Sequence, residues 1–250
     1  MLRYLAPAAT ALALAAAPAT AGDLTKMSDA ERDAFRAEVR AYLLDNPEVI
    51  IEAVNLLEQR QAEAQAAADQ ALVSAHQKAL FDDGRSWVGG NPDGDITMVE
   101  FMDYRCGYCR RAVPEIAELL REDGNIRLII KEFPILGEAS VLSSRFAVAT
   151  RNLLGPEAYK QVHDALLEFK GEVDERALRR LAEGLGLEAD AILAEMDSAA
   201  VTEELTANRE LAQKLQITGT PTFVIEDELL RGFLPADQMA IIVEEKRDRG

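Results

Sequence analysis

The two cysteines of this 250-residue chain, Cys106 and Cys109, are separated by only two residues. An apolar run precedes them and apolar residues at helical spacing follow, so we predict that the pair opens a helix. Positions i and i+3 of a first helical turn share a face, close enough for a disulfide. The unpaired amides at the helix start favour a thiolate at Cys106. We therefore predict a redox dithiol: an exposed, nucleophilic Cys106, and Cys109 one turn deeper, resolving the mixed disulfide.

The charge of the chain narrows the possible partners. Lys and Arg total 27 against 44 Asp and Glu, which gives a formal charge of −17 and makes nucleic acid an improbable partner. Next to the cysteines the local charge is positive instead, because the segment contains Arg105, Arg110 and Arg111. A zinc site needs two ligands besides the cysteines, and the two histidines of the chain, His76 and His163, lie in helical patterns. We expect no metal and no cofactor.

The N-terminus carries the pattern of an export signal. Arg3 precedes an apolar run over residues 5–17, and Ala19-Thr20-Ala21 matches a small-x-small cleavage site. A membrane anchor is the alternative, but the run is shorter than the roughly 20 residues of a spanning helix. We predict cleavage after Ala21 and a periplasmic mature protein. A structural disulfide is possible there, yet one that closes so small a loop restrains the unfolded chain little.

Residues 22–80 are predicted to form a helical arm. Ser28 and Glu31 make a capping box for a helix to about residue 44, and Pro47 opens a second helix to about residue 80. In the second helix, apolar and small residues recur at heptad spacing. The two rows are Ile50, Leu57, Ala64, Ala71 and Val54, Gln61, Ala68, Ala75. Such a seam favours a homo-oligomer formed through residues 28–80; packing of the helix on its own domain is the alternative.

The remainder, residues 81–250, is predicted to be one α/β domain. A buried strand over residues 96–102, the helix after the cysteines and a strand over residues 126–133 form a βαβ unit, with the dithiol at the carboxyl end of the first strand. Glu100 interrupts the apolar run of that strand, where a buried carboxyl is costly. Residues 138–215 show helical periodicity alone and are predicted to be a helical insertion; two strands and a last helix follow.

Three motifs together resemble the DsbA-like thioredoxin family, in particular its ScsC-like branch. They are Glu-Phe-Met-Asp-Tyr-Arg-Cys-Gly-Tyr-Cys-Arg-Arg, then Lys-Glu-Phe-Pro-Ile-Leu, then Thr-Gly-Thr-Pro-Thr-Phe. The resemblance covers residues 85–250 and implies a thioredoxin fold. It also implies a cis bond between Thr220 and Pro221, where the backbone pairs with substrate beside the dithiol, and a role for Glu100 as proton relay to Cys109. Relatives with a helical arm are oligomeric, and some act as isomerases.

The resemblance and the residues together predict an exported thiol–disulfide oxidoreductase. Its partners would be exported proteins with thiols or disulfides and a membrane redox partner. The most oxidising relatives have His between the cysteines, where this chain has Gly107-Tyr108, so we favour an isomerase or reductase over an oxidase. The alternative from another class is a Cu(I)-handling or chaperone protein, since two thiolates bind a soft ion.

Overall fold

The computed structural model describes residues 26–249, and the predicted signal peptide lies outside them. The chain divides into two compact units between Gln59 and Arg60. The elements, in chain order, are α1 (Asp29–Asp45), α2 (Glu48–Ala75), α3 (Gln77–Phe81), β1 (Trp87–Gly90), β2 (Ile96–Met102), α4 (Gly107–Asp123), β3 (Ile126–Glu132), α5 (Glu138–Leu154), α6 (Pro156–Glu168), α7 (Glu175–Gly184), α8 (Ala189–Glu195), α9 (Ala199–Lys214), β4 (Thr222–Ile225), β5 (Glu228–Arg231) and α10 (Ala236–Arg247).

The described part of the first unit, up to Gln59, is helical and leaves most of its large apolar side chains exposed. The predicted capping box is present, because Ser28 accepts from the amide of Glu31 while the Glu31 carboxylate accepts from the amide of Ser28. No residue of α1 is buried. The large apolar side chains of this unit that remain exposed are Phe35, Val39, Tyr42, Leu44, Ile50, Ile51, Val54, Leu56 and Leu57.

The second predicted helix ends earlier than expected. We predicted one helix to about residue 80, whereas α2 ends at Ala75 and a separate α3 follows. His76 lies between them with φ −122° and ψ 17°, outside helical geometry. Val73 before the break and Leu80 after it are both fully buried in one apolar cluster of the second unit. Tertiary packing therefore decides this boundary, where the sequence has neither Gly nor Pro.

The second unit is built on a five-stranded sheet with strand order β1-β3-β2-β4-β5. β2 and β3 pair in parallel through α4, which confirms the predicted βαβ unit, and the other three pairings are antiparallel. Alternate residues of β2 enter opposite apolar clusters: Val99 and Phe101 on one face, Met98 and Met102 on the other. The sheet is thus covered on both faces, and α4 begins at the carboxyl end of its central strand.

The predicted helical insertion is present as five helices, α5 to α9, between β3 and β4. Side chains of α5, α6 and α7 join the same apolar cluster as α4 and α10. These three helices therefore lie against the face of the sheet that carries the cysteines, whereas Leu211 and Ala212 of α9 join the cluster on the opposite face. Within residues 26–249, no helix combines the length and the apolar character that crossing a membrane requires.

Candidate active site: a dithiol at the amino terminus of α4

Asp103 fixes the segment that connects β2 to the dithiol. Its fully buried carboxylate accepts from the backbone amides of Arg105 at 2.7 Å, Ile135 at 2.8 Å and Leu136 at 3.1 Å, and from the hydroxyl of Ser140 at 2.8 Å. One side chain thus joins the turn before Cys106 to the chain that leaves β3. Sequence reasoning missed Asp103, because three of its four donors are more than 30 positions away.

Cys106 is the N-cap residue of α4, with extended φ and ψ. Its Sγ lies 3.1 Å from the carbonyl oxygen of Thr220, and the Thr220–Pro221 peptide bond is cis, as the resemblance implied. The sequence predicts an exposed Cys106, and this prediction is wrong: only 7% of the residue is exposed, because the segment with Thr220 covers it. Cys109 is 1% exposed, so the predicted order of depth holds. Both thiols are free.

Cys109 shares a cavity of about 140 Å³ with Glu100, His163 and the pair Lys160 and Asp164. Its other walls are mainly apolar side chains of β1, β2, α4 and β3. The Glu100 carboxyl is buried and accepts no hydrogen bond from the described residues. Burial, and secondarily the charge of Glu132, raises the pKa of Glu100 to about 8. Burial, and then the charge of Glu100, raises the pKa of Cys109 far above its ordinary value.

Comparisons with known proteins agree with this geometry. The DSBA-like thioredoxin domain model matches residues 97–244, and the model of the copper resistance protein ScsC N-terminal domain matches residues 31–64. The chain belongs to the DSBA-like thioredoxin domain family. The predicted fold class, a thioredoxin fold with a helical insertion after a helical N-terminal region, is confirmed.

Two solved structures are similar over most of their length. A thioredoxin-like oxidoreductase from Silicibacter pomeroyi is 41% identical, with a TM-score of 0.64, over 68% of this chain and 97% of that one. Proteus mirabilis ScsC in a transitional conformation is 29% identical, with a TM-score of 0.65, over 90% of this chain and 99% of that one. The second match includes the helical N-terminal region, so the likeness to ScsC extends beyond the DSBA-like domain.

Curated relatives include disulfide bond formation proteins and Na(+)/H(+) antiporters. Disulfide bond formation protein D of Bacillus subtilis is 22% identical over 64% of this chain and 76% of its own length. Na(+)/H(+) antiporter NhaA 3 of Salinispora tropica is 27% identical over 69% of this chain, but the chain spans only 26% of that protein. The chain thus covers about a quarter of the antiporter, and what it shares with both kinds is a region of one domain's size.

A second buried carboxyl of the DSBA-like domain, Glu132, is held by three hydroxyl groups. Tyr104, Tyr159 and Ser144 each donate to it at 2.7 Å. Burial raises the pKa of Glu132 to about 7, although these hydrogen bonds oppose the rise. His163 lies with its Nδ1 3.0 Å from the Tyr104 hydroxyl, and burial lowers its pKa to about 4.

Sequence reasoning missed the role of Glu132, although the signal was available. Glu132 interrupts an apolar strand in the Lys-Glu-Phe-Pro motif, as Glu100 does in the preceding strand. The two acids lie on neighbouring parallel strands, with Glu100 paired to Ile130 and Glu132 to Met102. The structure therefore places Cys106 beside Thr220 and Pro221 and Cys109 beside Glu100, and Asp103 and Glu132 lie on the adjoining segments.

Proposed function

We propose that this chain is an exported thiol–disulfide oxidoreductase that acts on the cysteines of other exported proteins. The observation that carries the proposal is the placement of Cys106 at the amino terminus of α4, with its Sγ 3.1 Å from the Thr220 carbonyl and Cys109 buried one turn later. The Silicibacter relative, named an oxidoreductase, supports it. The signal pattern that ends at Ala21 supports the proposed export to the periplasm.

The proposed reaction is a pair of thiol–disulfide exchanges. The Cys106 thiolate attacks a substrate disulfide, forms a mixed disulfide and expels the second substrate sulfur as a thiolate, which takes up a proton. Cys109 then loses its proton and attacks Sγ of Cys106, which releases the first substrate sulfur. Two electrons have passed to the substrate and the protein holds a Cys106–Cys109 disulfide. The reverse sequence oxidises a substrate dithiol.

Glu100 is proposed to move the proton of Cys109. It lines the same cavity as that thiol, and its carboxyl has no hydrogen-bond partner among the described residues. A pKa of about 8 leaves both its forms populated near neutral pH, which suits a group that accepts a proton in one direction and returns it in the other. Thr220 and Pro221 are proposed to bind the substrate backbone, as the family resemblance implies.

We favour the isomerase or reductase direction over oxidase, since Tyr108 takes the place of the histidine of the oxidising relatives. A membrane redox partner would then keep the dithiol reduced. The test is recovery of activity by scrambled ribonuclease, with Cys106→Ser as the inactive control. If the ribonuclease recovers no activity, the isomerase proposal is refuted. A reduction potential of about −120 mV for the Cys106–Cys109 pair would indicate an oxidase instead.

The helices of residues 28–80 are proposed to form a homo-oligomer. Ile50, Val54 and Leu57 of the predicted seam are about half exposed in the single chain, with exposed fractions of 50%, 45% and 56%. Later in α2, Asp69 and Val73 are buried off the seam, so that part does pack on its own domain. Light scattering of residues 22–250 should give a multiple of the chain mass, and Leu57→Glu should lower it. A monomeric wild type would refute the oligomer.

The second candidate function is Cu(I) handling or client holding through the dithiol and the arm. One observation favours it: residues 31–64 match a domain named for a copper resistance protein. The described residues hold no cluster of three or more His, Cys, Asp or Glu arranged for a metal, so the two thiols would have to bind Cu(I) by themselves. Equilibrium dialysis tests this. Equal Cu(I) binding by wild type and Cys106→Ser would exclude the dithiol as the site.

A further inference from the structure

Three arginines beside the dithiol have no carboxylate partner. Arg105, Arg110 and Arg111 form no ion pair with the described residues. Elsewhere in the same domain arginines do find carboxylates, as Arg151 does with Glu204 and Arg247 with Asp95 and Asp123. In a chain with a formal charge of −17, this is an uncompensated positive region next to the reactive thiol.

Two of these arginines hold a loop of the helical insertion against the dithiol segment. Arg110 donates to the carbonyl of Tyr104 at 3.0 Å and to that of Phe169 at 2.8 Å, and Arg105 donates to the carbonyl of Gly171 at 3.2 Å. Close packing also shapes the loop, because a Cβ on Gly171 would come within 2.9 Å of the Phe169 ring. The loop is therefore held beside the dithiol segment, and the exposed Lys170 lies between its two contact residues, Phe169 and Gly171.

The third arginine faces solvent. Arg111 is exposed, and its guanidinium carbon lies 4.0 Å from the centre of the Tyr108 ring, which is itself 54% exposed. Stacking on an aromatic face holds the guanidinium in place while its N–H groups stay available to a ligand. Burial, and then the neighbouring positive charge of Arg105, lowers the pKa of Arg110.

The nearby carboxylates form no ion pair with these arginines, and Glu115, four positions after Arg111, accepts instead from the amide of Ala236. Glu168 and Glu172 flank the loop and are exposed, yet neither lies within ion-pair distance of the three arginines. Asp103 is fully buried and its oxygens accept from backbone amides and Ser140. The exposed or half-exposed side chains of Arg105, Tyr108, Arg111 and Lys170, here called the basic rim, carry three positive charges.

We propose that the basic rim selects exported polypeptides in which acidic residues flank the reactive disulfide. The proposal rests on the thiol–disulfide exchange proposed above and adds the substrate class. Guanidinium groups bind carboxylates by charge-assisted, bidentate hydrogen bonds, and complementary charge raises the rate of encounter. The remainder of this acidic protein repels such substrates, so the rim draws them to the one place where reaction occurs.

The test uses three peptides of equal length, each closed by one internal disulfide, in which the flanking residues are Glu, Gln or Lys. The reduced mature protein transfers two electrons to the peptide and forms the Cys106–Cys109 disulfide. Mass spectrometry of acid-quenched samples gives the fraction of reduced peptide at each time. We expect the Glu peptide to react about tenfold faster than the Lys peptide at low salt, which is at the lower end of electrostatic steering effects. The ratio should approach one as salt rises.

The ratio of the rates separates the charge selectivity of the basic rim from the intrinsic reactivity of Cys106. Any change in the reactivity of Cys106 itself alters the rates with all three peptides equally and leaves the ratio intact. Arg111→Gln should reduce the Glu-to-Lys ratio several-fold, Arg111→Lys should retain most of it, and Arg209→Gln, at an exposed position on α9, should leave it unchanged. A ratio near one in the wild type, or a ratio insensitive to Arg111→Gln, overturns the selection. No reaction with any peptide, the Gln peptide included, contradicts the proposed function instead.

Discussion

The Glu100 and Glu132 regions bury the same functional group at similar depth, on neighbouring parallel strands, and treat it in opposite ways. Glu132 accepts three hydroxyl hydrogen bonds, from β2's exit, α5 and α6. Glu100 accepts none from the described residues and lines the cavity of Cys109. A buried carboxyl with all its partners ties elements together, whereas one without partners weakens the fold and is free to exchange a proton. We infer that Glu132 is structural and Glu100 chemical.

The largest expected contrast is in stability. Glu132→Leu leaves three buried hydroxyls without their acceptor, so the free energy of unfolding should fall by about 3 kcal/mol or more. Glu100→Leu removes a carboxyl that has no partner, so stability should stay equal or rise by about 1 kcal/mol. Urea denaturation of the reduced proteins at pH 7 measures both. Equal losses would contradict the division of roles.

The pH dependence of stability should show the same contrast. Both acids have raised pKa values, about 8 for Glu100 and about 7 for Glu132, so the folded chain holds protons that the unfolded chain releases. Stability must therefore fall as pH rises towards 8. His163, with its pKa lowered to about 4, titrates below this range, so its effect belongs between pH 4 and 6.5.

Between pH 6.5 and 8, the change of stability with pH therefore comes from the two acids. Above pH 7 it comes mainly from Glu100, because Glu132 has a pKa of about 7. Each pH unit there should cost the wild type about 1.4 kcal/mol on account of Glu100. Glu100→Gln should lack that part of the slope, a difference of about 2 kcal/mol across the window. Chemical denaturation in the presence of a phosphine reductant measures it. Parallel pH profiles of the two proteins would show that Glu100 does not titrate there.

Of the two buried acids, only Glu100 should affect the rate at which Cys109 attacks the mixed disulfide. With Glu100→Gln, attack by Cys109 on the mixed disulfide should slow by a factor of at least about 10. This minimum is set below the roughly 100-fold at which general acid–base contributions usually begin. The pH dependence of that step near pH 8 should also disappear. Glu132→Gln is the matched control and should leave the step within about twofold. Quenched-flow mass spectrometry resolves the mixed disulfide, and an unchanged profile for Glu100→Gln would refute the relay.

The smallest expected effect is the loss of one bond to Glu132. Tyr159→Phe removes one of three donors and should lower the free energy of unfolding by about 1 kcal/mol. Thr206→Val, at an exposed position on α9, is the control and should have no measurable effect. If Tyr159→Phe is as neutral as Thr206→Val, the Glu132 cluster contributes less than its geometry indicates.

Much of the fold and of the site was predictable from local sequence. The capping box at Ser28, the βαβ unit and the five helices of the insertion follow from caps and periodicity. The carboxyl-end position of Cys106 follows from the βαβ unit, and Glu100 was identified as a polar interruption in an apolar strand. The family motifs supplied Thr220 and Pro221.

Other features depend on contacts between distant segments. Cys106 contacts the carbonyl of Thr220, which lies 114 positions later in the chain. The hydroxyl donors to Asp103 and Glu132 also come from elements distant in sequence. The end of α2 at Ala75 depends on burial of Val73 and Leu80 in the domain. No local pattern encodes these pairings, since each requires the folded arrangement of sheet and insertion. The domain boundaries, the site roles and the signal peptide remain predictions.

The central claim is that Cys106 attacks substrate disulfides and Cys109 resolves the product. Trapping tests it most directly: the reduced Cys109→Ser and Cys106→Ser variants are each mixed with an excess of a disulfide-containing protein, quenched with acid and mapped by mass spectrometry. We predict a stable mixed disulfide at Cys106 in Cys109→Ser and almost none at Cys109 in Cys106→Ser, because Cys109 is 1% exposed and its pKa is raised by burial. Equal trapping in both variants, or trapping only at Cys109, would contradict the account.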